Sequence, residues 1–365
     1  MISTTRNQLL GNVRRAVIKV GRSLLAELPV ARIRALAMEV ALLREGGLEV
    51  VIVSSGAIEF GMAALDLKRR PRQMPLLQAA SAVGQVELMQ TFQDAMSAHR
   101  IPVAQTLLAH QDLDQPAGFL LARHTLLALL DYGVVPVVNE NDSVAVREII
   151  DSDNDMLAAR VPRLVEADLL VMLTTAEGIS QRGSVIPVVE DISALARRVA
   201  DSPPRRGAQR SLASKVRAAE LAAAQGVATV VASGVRIGVL SNILDDDTLG
   251  TVVMPSKVRR SRKKWIAEDL DPSGTLTVST KVHESLMRGN HSLPASGVLG
   301  SEGSFSQGEA VRVVDADGAE FARGLVGYNV EELSRIQGKP PENIEKLLGY
   351  KHYEEVIHRD DLVIL

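Results

Sequence analysis

Two lysines and one segment rich in acids and amides carry the chemistry open to this chain of 365 residues. Lys19 stands in IKVG (18–21), where an apolar run meets Gly21, and a glycine at a strand end lets backbone N–H groups approach an anion. In SSGAI (54–58), Ser55 and Gly56 make a second such junction, with a hydroxyl as well as N–H groups. Taken alone, each junction is equally well read as a structural turn. The stretch NENDSVAVREIIDSDNDM (139–156) is more specific, because Asn139, Asn141, Asp142, Asp153, Asn154 and Asp155 crowd six acidic or amide side chains around one apolar run and the helix after it. Helix capping accounts for Asp153 or Asn154 but not for the set. Such a cluster suits an ammonium group, a hydrated Mg²⁺ or a pair of lysines.

The second lysine lies in GAQRSLASKVRAAEL (207–221). If Ser211 caps the helix and Leu212 begins it, Lys215 falls in the first turn, at the positive end of the macrodipole, where a cation is disfavoured unless an anion binds too. A lysine directed into water is the alternative, since the dipole contributes only about 0.3–1 kcal/mol. His110 and His124 stand alone, without metal-ligand spacing, and read as surface or structural residues. No metal-ligating residues are assigned.

These residues need a scaffold, and the hydropathy pattern supplies one. Short β-branched runs at 16–20, 49–55, 101–109, 134–140, 168–175 and 228–234 alternate with helical patterns at 30–45, 75–98, 117–131, 154–166 and 211–225. Runs this continuous suit strands buried on both faces, which predicts an α/β fold with a mainly parallel sheet sandwiched by helices. Ligands of such sheets bind beyond the carboxyl ends of the strands. Ser54-Ser55-Gly56, Asn139-Glu140-Asn141-Asp142, Thr174-Thr175 and Ser233-Gly234 all fall there.

The pattern changes at the basic stretch SKVRRSRKKW (256–265). The expected division is a first domain over 1–260, a basic linker over 261–272, and a small β-rich barrel over 273–365 with a helical segment at 330–347. With 46% hydrophobic residues the chain can bury sizeable cores, and 41 basic against 44 acidic residues give no global polyanion-binding signature. The absence of cysteine excludes disulfides, thiolate metal sites and a cysteine nucleophile. No apolar run reaches the roughly 20 residues that span a bilayer, and a cytoplasmic protein is expected.

Read together, IKVG-S (18–23), VVIVSSGAI–G (50–61), SAVGQ (81–85), PVVNENDSVA (136–145), DNDMLAA (153–159) and the S-SK outline (211–215) resemble the glutamate 5-kinase family of the amino-acid kinase superfamily. The tail resembles that family's PUA domain in RKKWI (262–266), LP-SGV (293–298), F-QGEAVRV (305–313), LGY (348–350) and VIHRDDLV (356–363). The resemblance implies ATP and Mg²⁺ as cofactors and L-glutamate as acceptor, phosphorylated on its side chain in the first step of proline biosynthesis. It also implies a homo-oligomer and the next-step reductase as a partner. It makes Lys19, Lys215 and Asp155 catalytic, and it places Ser55, Gly56, Asn139, Asn141, Asp142 and Asn154 on the acceptor amino acid. Lys19, Gly21, Thr174, Thr175, Arg210, Ser211, Ser214 and Lys215 would bind ATP. RNA is not expected as the principal partner, because aromatics for base stacking are few.

The departures from the family gather on the nucleotide side. Ala208-Gln209-Arg210-Ser211-Leu212 replaces a Gly-Thr-Gly-Gly-Met loop, Thr175 replaces an Asp, and Arg22 replaces a small hydroxyl. Leu121, His124 and Met156 differ on the acceptor side. Three readings therefore stand: a glutamate kinase that grips phosphate with side chains such as Arg210, a kinase for a related carboxylate, or a degenerate paralogue that binds an amino acid or nucleotide as a regulator.

Overall fold

The computed structural model describes every residue except 1–8, 27, 145–153, 182, 201–207, 246–248, 257–265, 268–269, 290 and 352. Asp153, Gly207 and the basic run 258–264 lie outside the described residues, as does most of the expected linker. The chain separates into two compact units, one of residues 1–110 with 123–259 and one of 111–122 with 260–365.

In the first unit all six expected strands form: β1 (Arg15–Val20), β2 (Glu49–Val53), β3 (Val103–Leu108), β4 (Val135–Glu140), β5 (Leu169–Thr174) and, after three short strands, β9 (Ala228–Ser233). Those short strands are β6 (Ser180–Gln181) and β7 (Ser184–Val185), which pair with each other, and β8 (Val188–Val189). With β10 (Thr251–Val253), β8 completes an eight-stranded sheet of order β3-β4-β2-β1-β5-β9-β10-β8, in which, among the described residues, only the β9/β10 pair is antiparallel. Strands of two or three residues carry no readable period, which is why the far edge was not legible in sequence.

The central strands are buried along nearly their whole length. Ile18, Val50, Ile52, Val137, Val171 and Val230 pack on one face against Ile33, Leu36 and Val40 of the helix Pro29–Glu45 and Leu88 and Phe92 of the helix Met74–Ser97. Burial of this kind contributes about 25 cal/mol per Å² of apolar surface and holds the sheet rigid beneath its polar edge.

The second unit carries a five-stranded sheet of order β13-β11-β14-β15-β17, built from β11 (Gly274–Val278), β13 (Val298–Gly303), β14 (Ala310–Val314), β15 (Glu320–Leu325) and β17 (Leu362–Ile364). A second pairing joins β12 (Leu293–Pro294) to β16 (Glu355–Ile357). The expected helical segment is two short helices, Val330–Ile336 and Ile344–Leu348, interrupted where Gly338, Pro340 and Pro341 cannot continue a helix. Asn329 opens the first with a capping box shared with Glu332.

Candidate active site

The sheet register brings the candidate residues to one edge. Lys19 pairs with Val53 on one side and Met172 on the other, and Val53 pairs with Val138. Ser54 and Asn139 are therefore the next residues beyond the β2/β4 pairing, Asn139 still being matched with Leu107 of β3, and Thr174 is matched with Ser233. This is the carboxyl edge of β1, β2, β4, β5 and β9, where parallel sheets place their ligands.

Behind that edge lies a buried charged trio. Lys19 Nζ is 2.6 Å from Asp155 Oδ1, and Lys215 Nζ is 3.1 Å from Asp155 Oδ2. All three side chains are buried. Each lysine takes a different carboxylate oxygen, so Asp155 holds the two ammonium groups apart and fixes both. Asp155 opens the helix Asp155–Val165, where a negative charge is favoured by the dipole, and that helix packs on β1 and on the helix Ala208–Ala224.

The position of Lys215 corrects the sequence expectation. Its helix begins at Ala208, not Leu212, so Lys215 lies about two turns inside it and does not sit at the positive terminus. What Lys215 meets is the first turn of the other helix through Asp155, and its Nζ also donates to Ser211 Oγ, one turn back, at 3.0 Å. Ser211 is thus not a cap but a partner of the lysine.

A chain of amides adjoins the trio. Asn154 Nδ2 donates to Ser54 O at 2.6 Å and to Asn139 Oδ1, and Asn139 Nδ2 donates to Gln85 Oε1 at 2.7 Å. Ser55 Oγ is buried without a hydrogen-bond partner among the described residues. Gly56 has φ +98°, a conformation that disfavours any residue with a Cβ, and it opens the helix Ala57–Ala64. That helix crosses the helix Met74–Ser97 very closely: a Cβ on Gly61 would lie 1.7 Å from Ala80 O, and one on Gly84 would lie 1.8 Å from Ala57 O. The crossing brings the helix that follows Ser55 and Gly56 against Ala80 and Gly84, the immediate neighbours of Ser81 and Gln85.

Ser81 Oγ donates to Asp142 Oδ2. Burial pushes the Asp142 carboxyl above its ordinary value, the Ser81 hydrogen bond and the nearby Arg70 guanidinium pull it back, and Glu59 adds to the rise. Glu59 in turn takes Arg70 at 3.1 Å and Arg22 at 3.9 Å. The unexpected cation Arg22 therefore lies toward the acceptor-side group as well as next to β1. Asn141 is used through its backbone, its N–H donating to Leu108 O at 3.0 Å.

The residues expected to bind ATP are less gathered. Gly21 has an ordinary φ of −70°, and its N–H donates to Leu173 O. Thr174 is buried with its carbonyl taken by Gly234 N–H, Thr175 is exposed, and Ser214 is half-buried on the lysine's helix. Arg210 belongs to the first turn of that helix. His110 lies 3.5 Å from Glu140 and shares no metal-ligating group, and none of three or more His, Asp or Glu occurs among the described residues.

Ser54, Glu59, Arg70, Ser81 and Gln85 went unassigned from sequence. Ser81 and Gln85 did leave a signal, two polar residues four apart on a face otherwise formed by Leu77, Ala80, Gly84 and Leu88.

Comparison with known proteins converges on one assignment. The amino acid kinase family profile matches residues 14–233, and the PUA domain profile matches 274–348. Glutamate 5-kinase from Moorella thermoacetica is 39% identical over 98% of this chain and 97% of its own. The chain belongs to the glutamate 5-kinase family. Other members are 43% identical in Nitrosococcus oceani, over 96% of this chain and 97% of that one, and 38% identical in Pelobacter propionicus, over 99% and 100%. In fold alone the chain also resembles N-acetylglutamate synthase from Neisseria gonorrhoeae, with TM-score 0.50 and 17% identity over 70% of this chain and 63% of that one.

Proposed function

We propose that the protein transfers the γ-phosphoryl group of ATP to the side-chain carboxylate of L-glutamate, forming γ-glutamyl phosphate, the first step of proline biosynthesis. The observation that carries this reading is the buried Lys19–Asp155–Lys215 trio beside Ser55, Asn139, Asn154 and Asp142. Two cations fixed by one carboxylate suit a transferring phosphoryl group, whose charge spreads over its equatorial oxygens.

The acceptor needs no general base. A glutamate carboxylate has a pKa of about 4.3 and is ionised at neutral pH. One of its oxygens attacks the γ-phosphorus, the bond from that phosphorus to the β,γ-bridging oxygen breaks, and the electron pair leaves on ADP. No proton changes hands, which accounts for a site furnished with lysines and amides. Asp142 is suited to the substrate's α-ammonium, and the Ser55 hydroxyl and the N–H groups after Gly56 to its carboxylate.

Mg²⁺ enters with ATP in this reading, screening the phosphates. Such a cation keeps several waters and is held largely by substrate phosphates. Arg210 and Lys215 are the side chains proposed to replace the missing glycine N–H groups, with Ser211, Ser214, Thr174, Thr175, Gly21 and Lys19 completing the nucleotide side. We place the reaction in the cytoplasm, in a homo-oligomer whose product passes to the next-step reductase. The domain division proposed is a kinase domain over 1–260 and a PUA-like domain over 273–365. That second region carries nine Lys and Arg against fourteen Asp and Glu, a balance unsuited to a polyanion such as RNA.

The test is ADP release with Mg²⁺-ATP and a panel of L-glutamate, L-aspartate and N-acetyl-L-glutamate. Turnover with glutamate alone supports the reading. Turnover with another acceptor replaces glutamate by a related carboxylate, and a melting shift with ATP but no turnover on any acceptor identifies a nucleotide-binding regulator instead.

A further inference from the structure

Gln85 belongs to no assigned group, yet it ends the amide chain in a way that calls for a ligand. The polarity of the chain is set by the backbone. Glu140 N–H donates to Asn139 Oδ1 at 3.0 Å, so that atom of Asn139 must be the carbonyl oxygen and its other atom the NH₂. The NH₂ of Asn139 then donates to Gln85, which must present its own carbonyl oxygen, at 2.7 Å. At the other end Asn154 donates to the Ser54 carbonyl, which fixes its orientation in the same sense.

The consequence is that Gln85 Nε2 is left over. Gln85 is 8% exposed, and its Nε2 has no hydrogen-bond partner among the described residues. An amide NH₂ can only donate, and a buried donor without a partner is costly. One turn earlier on the same helix face, Ser81 holds Asp142. A second buried donor without a partner, Ser55 Oγ, follows the Ser54 carbonyl to which the chain is tied. A ligand that suits this group brings acceptor oxygens for Gln85 and Ser55 and a cation for Asp142, which describes a zwitterionic amino acid.

We propose that Gln85 is an acceptor-binding residue whose Nε2 donates to a carboxylate oxygen of the amino-acid substrate while its Oε1 orients Asn139. The proposal rests on the reading of the protein as a kinase of an amino-acid carboxylate. Gln85 thereby couples substrate binding to the Asn139–Asn154 pair, and through Asn154 to the neighbouring Asp155.

Two variants separate this role from a packing role. Gln85→Glu keeps an acceptor oxygen for Asn139 and removes the donor, and Gln85→Met keeps the shape and removes both. The expected result is a rise of about 10–100-fold in KM for glutamate in each, with KM for ATP within twofold of wild type. In Gln85→Glu the gap to wild type should narrow as pH falls, because burial disfavours the charged form of the introduced carboxyl, which takes up a proton and regains a donor. A purely structural residue would show no such pH rescue. Glutamate KM within twofold of wild type in both variants would overturn the proposal, as would KM values for ATP and glutamate that rise together. Should Gln85→Met fail to fold, Gln85→Glu decides. If wild type does not phosphorylate glutamate, the functional reading fails separately. The Gln85 role is then decided by the glutamate-dependent rise in melting temperature, expected in wild type and lost in Gln85→Glu, and overturned if it is equal in both.

Discussion

Lys215 Nζ lies 3.1 Å from Asp155 Oδ2, although sixty positions separate the two residues in the chain. With Lys19 on the other oxygen of the same carboxylate, the pair makes Asp155 the organiser of both lysines. Asp155→Asn preserves shape but leaves two buried ammonium groups without their shared counter-charge. Removing one partner of a buried ion pair costs about 3–5 kcal/mol, so the melting temperature should fall clearly. kcat should drop by about 100-fold or more, with KM for glutamate far less affected. Chemical denaturation and steady-state kinetics check the two halves, and a kcat within threefold of wild type would remove Asp155 from the transfer step.

With Asp142 on the substrate's ammonium group as proposed, its raised pKa gives acceptor binding a pH dependence with a defined sign. Burial makes the carboxyl hold its proton to higher pH than an ordinary aspartate, and only the carboxylate can pair with an ammonium group. Affinity for the amino acid is present above that raised value and is lost as pH falls through it. Ser81 opposes the shift by hydrogen bonding, so Ser81→Ala should move the inflection in KM for glutamate to higher pH. Arg70 opposes it through its charge, and Arg70→Ala should move it the same way. An inflection that stays put or moves down in both variants would show that Asp142 does not govern acceptor binding.

Gly84 is a steric hinge of the site. A Cβ there would meet Ala57 O at 1.8 Å and Gly61 N at 2.2 Å, backbone atoms that cannot turn aside. Gly84→Ala should destabilise by about 3 kcal/mol and raise KM for glutamate, because it forces apart the helices that set Ser55 and Gln85. Gly300, with nothing within 4 Å of a built Cβ, serves as control, and Gly300→Ala should change stability by about 0.5 kcal/mol at most. Urea unfolding compares them. Equal stability in the two would contradict the tight crossing.

The particular residues show what sequence could and could not reveal. The strands that carry Lys19, Asn139 and Thr174 near their ends, and the one that leads into Ser55, were legible because a doubly covered parallel sheet needs continuous β-branched runs, and those runs stop where polar residues begin. The helix carrying Lys215 was legible by its period, but its start was misplaced by four residues, since Ser211 has the right type for a cap and serves instead as the lysine's partner. The contacts of Ser81 with Asp142 and of Gln85 with Asn139 join residues 61 and 54 positions apart, and Glu59, which takes Arg70, lies on one of the two helices that cross at Gly61 and Gly84. No local pattern records such a crossing.

The central claim is phosphoryl transfer to glutamate by the buried lysine pair. It is tested most directly by trapping the acyl phosphate with hydroxylamine in the presence of Mg²⁺-ATP and L-glutamate, for wild type and Lys215→Ala side by side. Wild type should yield γ-glutamyl hydroxamate, and Lys215→Ala should yield it at least about 100-fold more slowly while remaining folded. No hydroxamate from folded wild type, or undiminished hydroxamate from Lys215→Ala, would contradict the account.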